Sequence, residues 1–167
     1  MTVQINYKKS LSKKNSSNLV LFAGEKFNVS NLRKHVLSSE YSFISDLLKT
    51  ADLKKKIVTF DISSKKKIIL ISIQKNIKSF DVENLGAKFY DVLKELKLSE
   101  YQLNSDTAPN NIKNLVGHFL HGLMLKSYNF DKYKTKKNKK NINIFVIGKN
   151  KPSLLDQIKF KAIEEGS

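Results

Sequence analysis

The sequence predicts an α/β domain in which a mixed central sheet lies between two layers of helices. Short runs of β-branched and other apolar residues, bounded by turn formers, recur along the chain and are typical of strands. Between them lie longer segments whose apolar residues repeat every three or four positions, as on one face of a helix. This alternation favours a three-layer αβα architecture. A chain of 167 residues is long enough to bury a single core, with about 70% of the unfolded surface removed from water.

Six segments are predicted as strands, and they are residues 4–8, 18–24, 57–62, 68–73, 101–105 and 142–148. Residues 18–24 form an apolar run that ends in glycine, as in a buried strand, and we expect residues 4–8 to pair with it at the sheet edge. Residues 57–62 and 68–73 are separated by two serines and three lysines, so they are expected to form a hairpin.

Four helices are predicted. The first begins near Ser38 and carries its apolar side chains at Phe43, Ile44, Leu47, Leu48 and Ala51. The second opens with Ser79 as the capping candidate and repeats apolar residues from Val82 to Leu96. An apolar stripe from Ile112 to Met124 predicts a third helix that ends near Tyr133. Residues 154–165 predict a fourth helix without a cap at its end, so we expect the chain to continue into a longer protein.

Composition limits the functional classes. The chain has no cysteine, which excludes disulfides, thiolate metal sites and cysteine nucleophiles and agrees with a reducing compartment. Residues 1–18 lack the apolar stretch of a secretory signal. No apolar run approaches the roughly 20 residues that cross a bilayer. We therefore expect a cytoplasmic protein with no membrane partner.

The net charge of +16 supports an alternative function, in which a basic module binds nucleic acid through lysine–phosphate contacts. Residues 132–140 carry six lysines and are the first candidate for such a contact. However, 30 of the 31 basic residues are lysine and only Arg33 is arginine, the residue that reads guanine edges bidentately. The lysine excess is also explained by a solvated surface or by codon bias.

No catalytic, cofactor-binding or metal-binding residue is predicted. His118 and His121 are three residues apart, a spacing that suits a metal site, but no acidic ligand lies close to them in sequence and they are predicted to lie opposite the apolar stripe. Asp81, Asp91 and Glu95 are predicted to lie on a solvated helix surface. The sequence contains no zinc-peptidase motif, nucleophile elbow or phosphate-binding glycine loop.

Residues 122–137, GLMLKSYNFDKYKTKK, resemble the segment that closes the N-terminal domain of leucyl aminopeptidases. In that family a helix rich in small residues ends in a Tyr-x-Phe-Asp-x-Tyr-Lys-like pattern, matched here from Tyr128 to Lys134. A lysine-bearing loop and one more strand then follow. The glycine of Leu85-Gly86-Ala87 and the terminal residues 162–167 agree with the same resemblance.

The resemblance implies a macro-domain-like fold for residues 1–150 and a connecting helix, begun by residues 151–167, toward a missing C-terminal catalytic domain. Members of the family are hexameric enzymes that remove N-terminal residues from peptides with two divalent metal ions, usually zinc or manganese. Their metal ligands and catalytic residues lie in the C-terminal domain, so none is carried over to this chain. Some relatives also use the N-terminal domain to bind DNA. The resemblance therefore implies a non-catalytic domain that contributes to hexamer assembly and to access to the catalytic domain.

A third hypothesis, a domain that binds ADP-ribose, would require glycine-rich loops close to the diphosphate. The six glycines are dispersed along the chain, which disfavours it.

Overall fold

The structure, a computed structural model, describes residues 2–8, 18–131 and 141–166. Six strands form one sheet with the order β1-β6-β5-β2-β4-β3. Their bounds are β1 Thr2–Lys8, β2 Asn18–Ala23, β3 Ile57–Ser63, β4 Lys66–Ser72, β5 Glu100–Asn104 and β6 Asn141–Ile147. All neighbouring pairs are parallel except the β3–β4 pair. The sheet is therefore mixed, as predicted.

Helices cover the sheet. Their bounds are α1 Ser38–Leu48, α2 Ser79–Leu96, α3 Leu115–Asp131 and α4 Leu154–Glu164, and short 3-10 helices occupy Glu25–Phe27, Ser30–Leu32 and Ser105–Thr107. None of the helices in the described part of the chain is long and apolar enough to span a membrane.

Two hydrophobic cores lie on opposite faces of the sheet. The larger joins alternate residues of the strands, such as Val20 and Ile69, to α2, α3 and Phe160 of α4. The smaller joins the other face of β2, β3 and β4 to Ile44 of α1 and to Leu32. A strand points successive side chains to opposite faces, so the apolar runs of β2 and β4 contribute to both cores. The predicted three-layer αβα architecture is confirmed.

The predicted pairing of the first two strands is wrong. β1 pairs in parallel with β6, from Thr2 opposite Asn141 to Lys8 opposite Ile147. β2 pairs with β4 on one side and with β5 on the other. Both edges of β2 are thus occupied by strands from later in the chain, and β1 is left at the edge of the sheet. Hydrophobic alternation predicts which face of a strand is buried but does not identify its neighbour.

The hairpin prediction is confirmed, with Ile57 opposite Ile71 and residues 64–65 forming the turn. The cap prediction for α2 is wrong, because Ser79 is the first helical residue. The Lys78 N–H instead donates to Oδ2 of Asp81 at 3.1 Å. A carboxylate at the third position of a helix can accept a hydrogen bond from the backbone N–H of the residue just before the helix.

Helix ends differ from the expectations at three further places. In α1, Phe43 is 41% exposed and Ala51 lies beyond the helix end, so Ile44 is its buried anchor. Ile112 precedes α3 and packs against the core from a loop, while Tyr133, the predicted end, lies outside the described residues. α4 does have caps: Ser153 Oγ accepts from the Asp156 N–H, and Gly166 follows at φ +79°.

Candidate functional site

The histidines of α3 do not lie opposite the apolar core as predicted. His121 Nδ1 lies 2.9 Å from Oε1 of Glu83 in α2, and its ring stacks on Phe160 of α4 with centroids 6.4 Å apart. His118 Nδ1 is 3.9 Å from the same oxygen. The acidic partner lies 38 residues earlier in the chain, so it cannot be recognised from the residues that neighbour the histidines in sequence. His121 therefore links three helices at their common contact.

This cluster lacks the ligand set of a metal site. Within the described residues there is no group of three or more His, Cys, Asp or Glu side chains that could hold a metal ion. The carboxylates of α2 are arranged as predicted for a solvated surface, since Asp81, Asp91 and Glu95 are all exposed. Asp81 is used as the helix cap described above.

The carboxyl ends of the parallel strands are where α/β domains with this connectivity usually bind ligands. Helices leave this edge toward opposite faces: β2 leads to α1 over the smaller core, whereas β4 leads to α2 over the larger one. β5, the other neighbour of β2, leads through α3 over the larger core to β6 in the opposite direction, so the connections diverge between β2 and β5, and this is the topological switch point of the sheet. Four buried polar side chains lie at or just beyond these strand ends, and they are Ser72, Asn104, Ser105 and Thr107.

Each of these four side chains bonds to the protein itself. Ser72 Oγ donates to the Gly24 carbonyl at 3.0 Å. Thr107 Oγ1 accepts from the Phe22 N–H at 2.9 Å and donates to the Asn104 carbonyl at 2.7 Å. These bonds join the end of β2 to the loops after β4 and β5. Buried hydroxyls satisfied in this way hold neighbouring loops in fixed positions.

The loop after β6 is tied to the same edge. Ser105 Oγ donates to the Ile147 carbonyl at 2.7 Å. Asp106 Oδ1 accepts from the Lys149 and Asn150 N–H groups at 2.9 and 3.3 Å. Gly148, between Ile147 and Lys149, has a φ of +109°, and a Cβ added there would approach the Ser105 hydroxyl to 2.6 Å. Internal hydrogen bonds thus tie the loops at this edge to one another, a network that the sequence showed only as a cluster of turn-forming residues.

Two open grooves, each of about 380 Å³, lie on the surface, and the first is bordered by the loops that follow β5 and β6 at this same edge. One adjoins the start of α3, between Ala108 and Val116, and is bordered by Lys113 and Lys151. The Asn114 side-chain amide lies beside it and donates to Asp156 at 2.8 Å, which joins the beginnings of α3 and α4.

The second opening, here called the β1–α4 groove, is lined by residues of both elements, including Ile5, Tyr7, Leu154, Ile158 and Phe160. The Tyr7 hydroxyl oxygen is buried and has no hydrogen-bond partner among the described residues. Burial, together with the nearby Asp156 and Glu164 carboxylates, raises the pKa of Tyr7 to about 12.

Phe130, near the end of α3, packs against the core and is not exposed as a platform for bases. Phe130 is half-buried against the larger core, with its ring 5.9 Å from that of Tyr90. Lys94 Nζ lies 3.6 Å from the Phe130 centroid. The aromatic pattern at residues 128, 130 and 133 also predicts side chains that fold back over the core at the end of the third helix; this is confirmed for Phe130, although both Tyr128 and Phe130 lie within α3 and not beyond it. The lysine-rich run 132–140 lies outside the described residues.

Comparison with solved structures identifies the architecture. A macrodomain mutant from Oceanobacillus iheyensis matches 99% of this chain and 94% of its own, with a TM-score of 0.61 and 15% sequence identity. The fold is macrodomain-like. The macrodomain of Thermus aquaticus DarG also matches, over 88% of this chain and 99% of its own, with a TM-score of 0.55 and 11% identity.

A mutant of tomato leucine aminopeptidase matches this macrodomain-like chain over 97% of its residues, with a TM-score of 0.65 and 13% identity. The match covers only 35% of the tomato chain, so this chain spans about a third of that protein. At these identities the likeness is one of fold. No protein-family model matches the sequence, and no curated protein matches it.

Proposed function

We propose that this chain is the non-catalytic N-terminal domain of a leucyl aminopeptidase, contributing to hexamer assembly and to access to the catalytic domain. The observation that carries the proposal is the tomato leucine aminopeptidase match, which includes nearly all of this chain but only about a third of the other. The resemblance of residues 122–137 to the segment that closes this domain is an independent support from sequence.

The hydrogen bonds at the carboxyl edge of the sheet also support a structural role. Ser72, Ser105, Thr107 and Asp106 each bond to backbone groups of neighbouring strands or loops. A side chain engaged in this way contributes to the rigidity of the domain and must break a bond before it can bind a substrate. A rigid edge suits a domain whose work is to position a neighbour.

In this proposal the parent protein is a cytoplasmic peptidase that removes N-terminal amino acids. Two divalent ions, zinc or manganese, would be held by its catalytic domain, and residues 151–167 would begin the connection from the N-terminal domain, residues 1–150, to that domain.

Peptidase assays test the proposal. The 167-residue chain and the protein encoded by its complete reading frame are compared on leucine p-nitroanilide, with and without added Mn²⁺ or Zn²⁺. We expect metal-dependent turnover from the complete protein and none from the chain alone. Turnover by the chain alone would contradict the non-catalytic role. A reading frame that ends at Ser167, or that continues without clustered acidic and lysine metal-site residues, would contradict the aminopeptidase parent.

The net charge of +16 favours a second candidate, a basic module that binds nucleic acid through lysine–phosphate contacts. The salt dependence of binding distinguishes this candidate from the weak duplex binding that a strongly basic protein shows only at low ionic strength. A fluorescent 20-nucleotide duplex is titrated at several salt concentrations, and each neutralised phosphate contributes a log–log slope of about −0.9. A steep slope with submicromolar binding at about 150 mM salt supports this candidate. The absence of binding there removes it.

A further inference from the structure

The positive charge of the described residues is concentrated where the parallel strands end. Four connections follow β2, β4, β5 and β6, and a fifth leads into β3, whose start lies beside the end of β4 because the two strands are antiparallel. We call these connections the basic edge, and they are residues 24–37, 49–56, 73–78, 105–114 and 148–153. They carry twelve basic and three acidic residues, whereas the rest of the described chain carries ten basic and twelve acidic residues. The excess of lysine is therefore a local feature of this edge.

Most charges of the basic edge are not neutralised within the molecule. Of its twelve basic residues, only Lys49 forms an ion pair with a carboxylate that the structure describes, and that partner is Asp46 at the end of α1. Asp106, one of the three acids, instead accepts hydrogen bonds from two backbone N–H groups of the loop after β6. Unpaired cations on one surface raise the local positive potential and attract polyanions.

The charges are spread in a row across the sheet. In the strand order β6-β5-β2-β4-β3, the connection at each strand has at least one basic residue, for example, in the same order, Lys151, Lys113, Lys34, Lys78 and Lys55. Five neighbouring strands span about 19 Å, because adjacent strands lie roughly 4.8 Å apart. A row of this length fits several successive phosphates of one polymer better than it fits a single phosphate group.

Side-chain amides hold the loops of the basic edge in fixed positions. Asn111 Nδ2 donates to the Gln74 and Lys75 carbonyls at 3.0 and 3.1 Å, which joins the connection after β5 to the one after β4. Asn31 Nδ2 donates to the Thr107 carbonyl at 3.4 Å and joins the connection after β2 to the same loop. Loops that are already ordered lose less conformational freedom when a ligand binds, so this edge presents its lysines at a lower entropic cost.

An exposed aromatic ring adjoins the lysines of the connection after β4. Phe80 lies in the first turn of α2, two residues after Lys78, and is 69% exposed. Nucleobases stack on exposed aromatic side chains, and such stacking combined with basic residues is how proteins hold single strands without reading their sequence. Bases within a duplex are already stacked on one another and are not available to the ring. The ring therefore favours a single strand over a duplex.

The other side chains of the basic edge favour a nucleic acid over a lipid surface. Exposed amides lie among its lysines, and they include Gln74, Asn76 and Asn110. Amides can donate to and accept from the edges of bases, whereas membrane-surface helices carry one broad apolar face beside their lysines. The exposed apolar residues at this edge come from three separate segments and not from one helix, and they are Leu37, Leu53 and Phe80.

We propose that the basic edge binds single-stranded nucleic acid, with lysines of the row on successive phosphates and a base stacked on Phe80. The groove between Lys113 and Lys151 lies at the same edge and extends the path of the strand toward β6. The inference rests on the nucleic-acid candidate of the proposed function, to which it adds the binding surface and the form of the ligand. It does not depend on whether the parent protein is an aminopeptidase.

The first test compares three fluorescent ligands by anisotropy at about 50–300 mM salt: oligothymidylate and oligouridylate of about 20 nucleotides, and a duplex of the same length. We expect both single strands to bind more tightly than the duplex, and the tighter of the two identifies DNA or RNA as the ligand. Tighter binding of the duplex would overturn the inference and leave the nucleic-acid candidate standing. The absence of binding to all three at about 150 mM salt would remove both.

A second test removes charge from the row. Lys75→Gln/Lys78→Gln/Lys113→Gln should weaken single-strand binding at least about 30-fold at low salt. It should also make the log–log salt slope shallower by about 2, because each phosphate neutralised on a single strand contributes about 0.7. An unchanged slope would show that these lysines do not contact phosphates.

The matched control removes the same charge elsewhere. Lys65→Gln/Lys88→Gln/Lys126→Gln alters three exposed lysines of the β3–β4 turn, α2 and α3. It lowers the net charge equally but leaves the row intact, so it should weaken binding by less than about 3-fold. Equal weakening by the two triple variants would mean that the strand responds to the overall charge of the protein, and it would overturn the basic edge as the binding surface.

A third test addresses stacking. Phe80→Ala should weaken single-strand binding about 5- to 100-fold with no change in salt slope, because it removes a stacked base and no phosphate contact. Duplex binding and the Tm should stay the same, which separates this loss from misfolding. Phe43→Ala is the control, since Phe43 is an exposed phenylalanine of α1 outside the basic edge. Full single-strand affinity in Phe80→Ala would overturn the proposed binding mode.

Vesicles of phosphatidylcholine and phosphatidylserine provide the comparison with a lipid surface. We expect the wild type to remain in solution with these vesicles at about 150 mM salt, where screening weakens the attraction between exposed charges. Vesicle binding that is lost in Phe80→Ala, together with weak single-strand binding by the wild type, would assign the edge to a membrane and overturn the inference. None of these measurements involves peptidase activity, so the aminopeptidase proposal can fail separately.

Discussion

Gly122 of α3 lies directly against the backbone of Glu83 in α2. A Cβ added at Gly122 would come within 2.8 Å of the Glu83 α-carbon and closer still to its carbonyl group. Gly86, one turn later in α2, faces α3 in the same way, against the Phe119 carbonyl and the Leu123 nitrogen. The two glycines let the helix backbones touch, and the obstacle at each position is main chain that cannot rotate away.

Gly122→Ala should therefore destabilise the domain, although alanine is the better helix former by about 1 kcal/mol. We expect a net loss of about 2–3 kcal/mol from overpacking, which lowers the Tm by roughly 5–10 °C in a domain of this size. Gly24→Ala is the control, because its added Cβ would meet Asn28 at an ordinary 3.4 Å. Thermal unfolding measures both. Equal Tm values for Gly122→Ala and the wild type would contradict the close helix contact.

Lys66→Met should destabilise the anchoring of α1. Lys66 Nζ lies 2.7 Å from Glu40 Oε2, with side chains only 12% and 10% exposed. Removal of the lysine leaves a buried carboxylate unpaired, which costs about 3–5 kcal/mol. Lys49→Met, which breaks the fully solvated pair with Asp46, should change the unfolding free energy by less than about 0.5 kcal/mol. Urea denaturation compares them, and Glu40→Gln/Lys66→Met should recover part of the loss.

Phe130→Ala should cost about 2 kcal/mol, roughly half the value for a fully buried phenylalanine, because its ring packs half-buried beside Tyr90 and beneath Lys94. Phe80→Ala provides the comparison, since Phe80 is exposed and its loss should change stability by less than about 0.5 kcal/mol. Chemical denaturation supplies both values. An unchanged stability of Phe130→Ala together with weaker single-stranded DNA binding would favour the nucleic-acid module instead.

Alkaline pH should destabilise the domain through its buried tyrosines. Burial raises the pKa of Tyr101 to about 12, and burial with two nearby carboxylates does the same for Tyr7. An unfolded tyrosine titrates near 10, so between pH 10 and 12 the native state binds more protons than the unfolded state. Stability is thus intact below pH 10 and falls as pH rises to 12. Tyr101→Phe should make this fall shallower in urea titrations at fixed pH. An identical pH slope in Tyr101→Phe would contradict the assignment.

Sequence periodicity predicted the elements that bury one continuous face. The β-branched runs of the hairpin and the apolar repeat of α2 are local signals, and both elements lie where expected. The partner of β1 could not be predicted in this way, because β2 and β6 offer similar apolar faces. β1 pairs with β6 because β4 and β5 occupy both edges of β2.

The chemistry of the site was less accessible to sequence reasoning. Glu83 and His121 are 38 residues apart and meet only because Gly86 and Gly122 bring α2 and α3 together. The bonds of Ser105 and Asp106 to the loop after β6 span more than 40 residues. Turn-forming residues at the strand ends were visible, but the partners of their side chains depend on the sheet order.

The burial of Phe160 has a consequence for motion. Its side chain is 2% exposed and stacks on His121, while Ser153 and Asp156 fix the start of α4 close to Asn114. A helix held at its start and its centre cannot swing as a flexible tether. If another domain follows this chain, the residues that allow it to change orientation must lie after Glu164, and a force applied there would reach α2 and α3 through the aromatic ring.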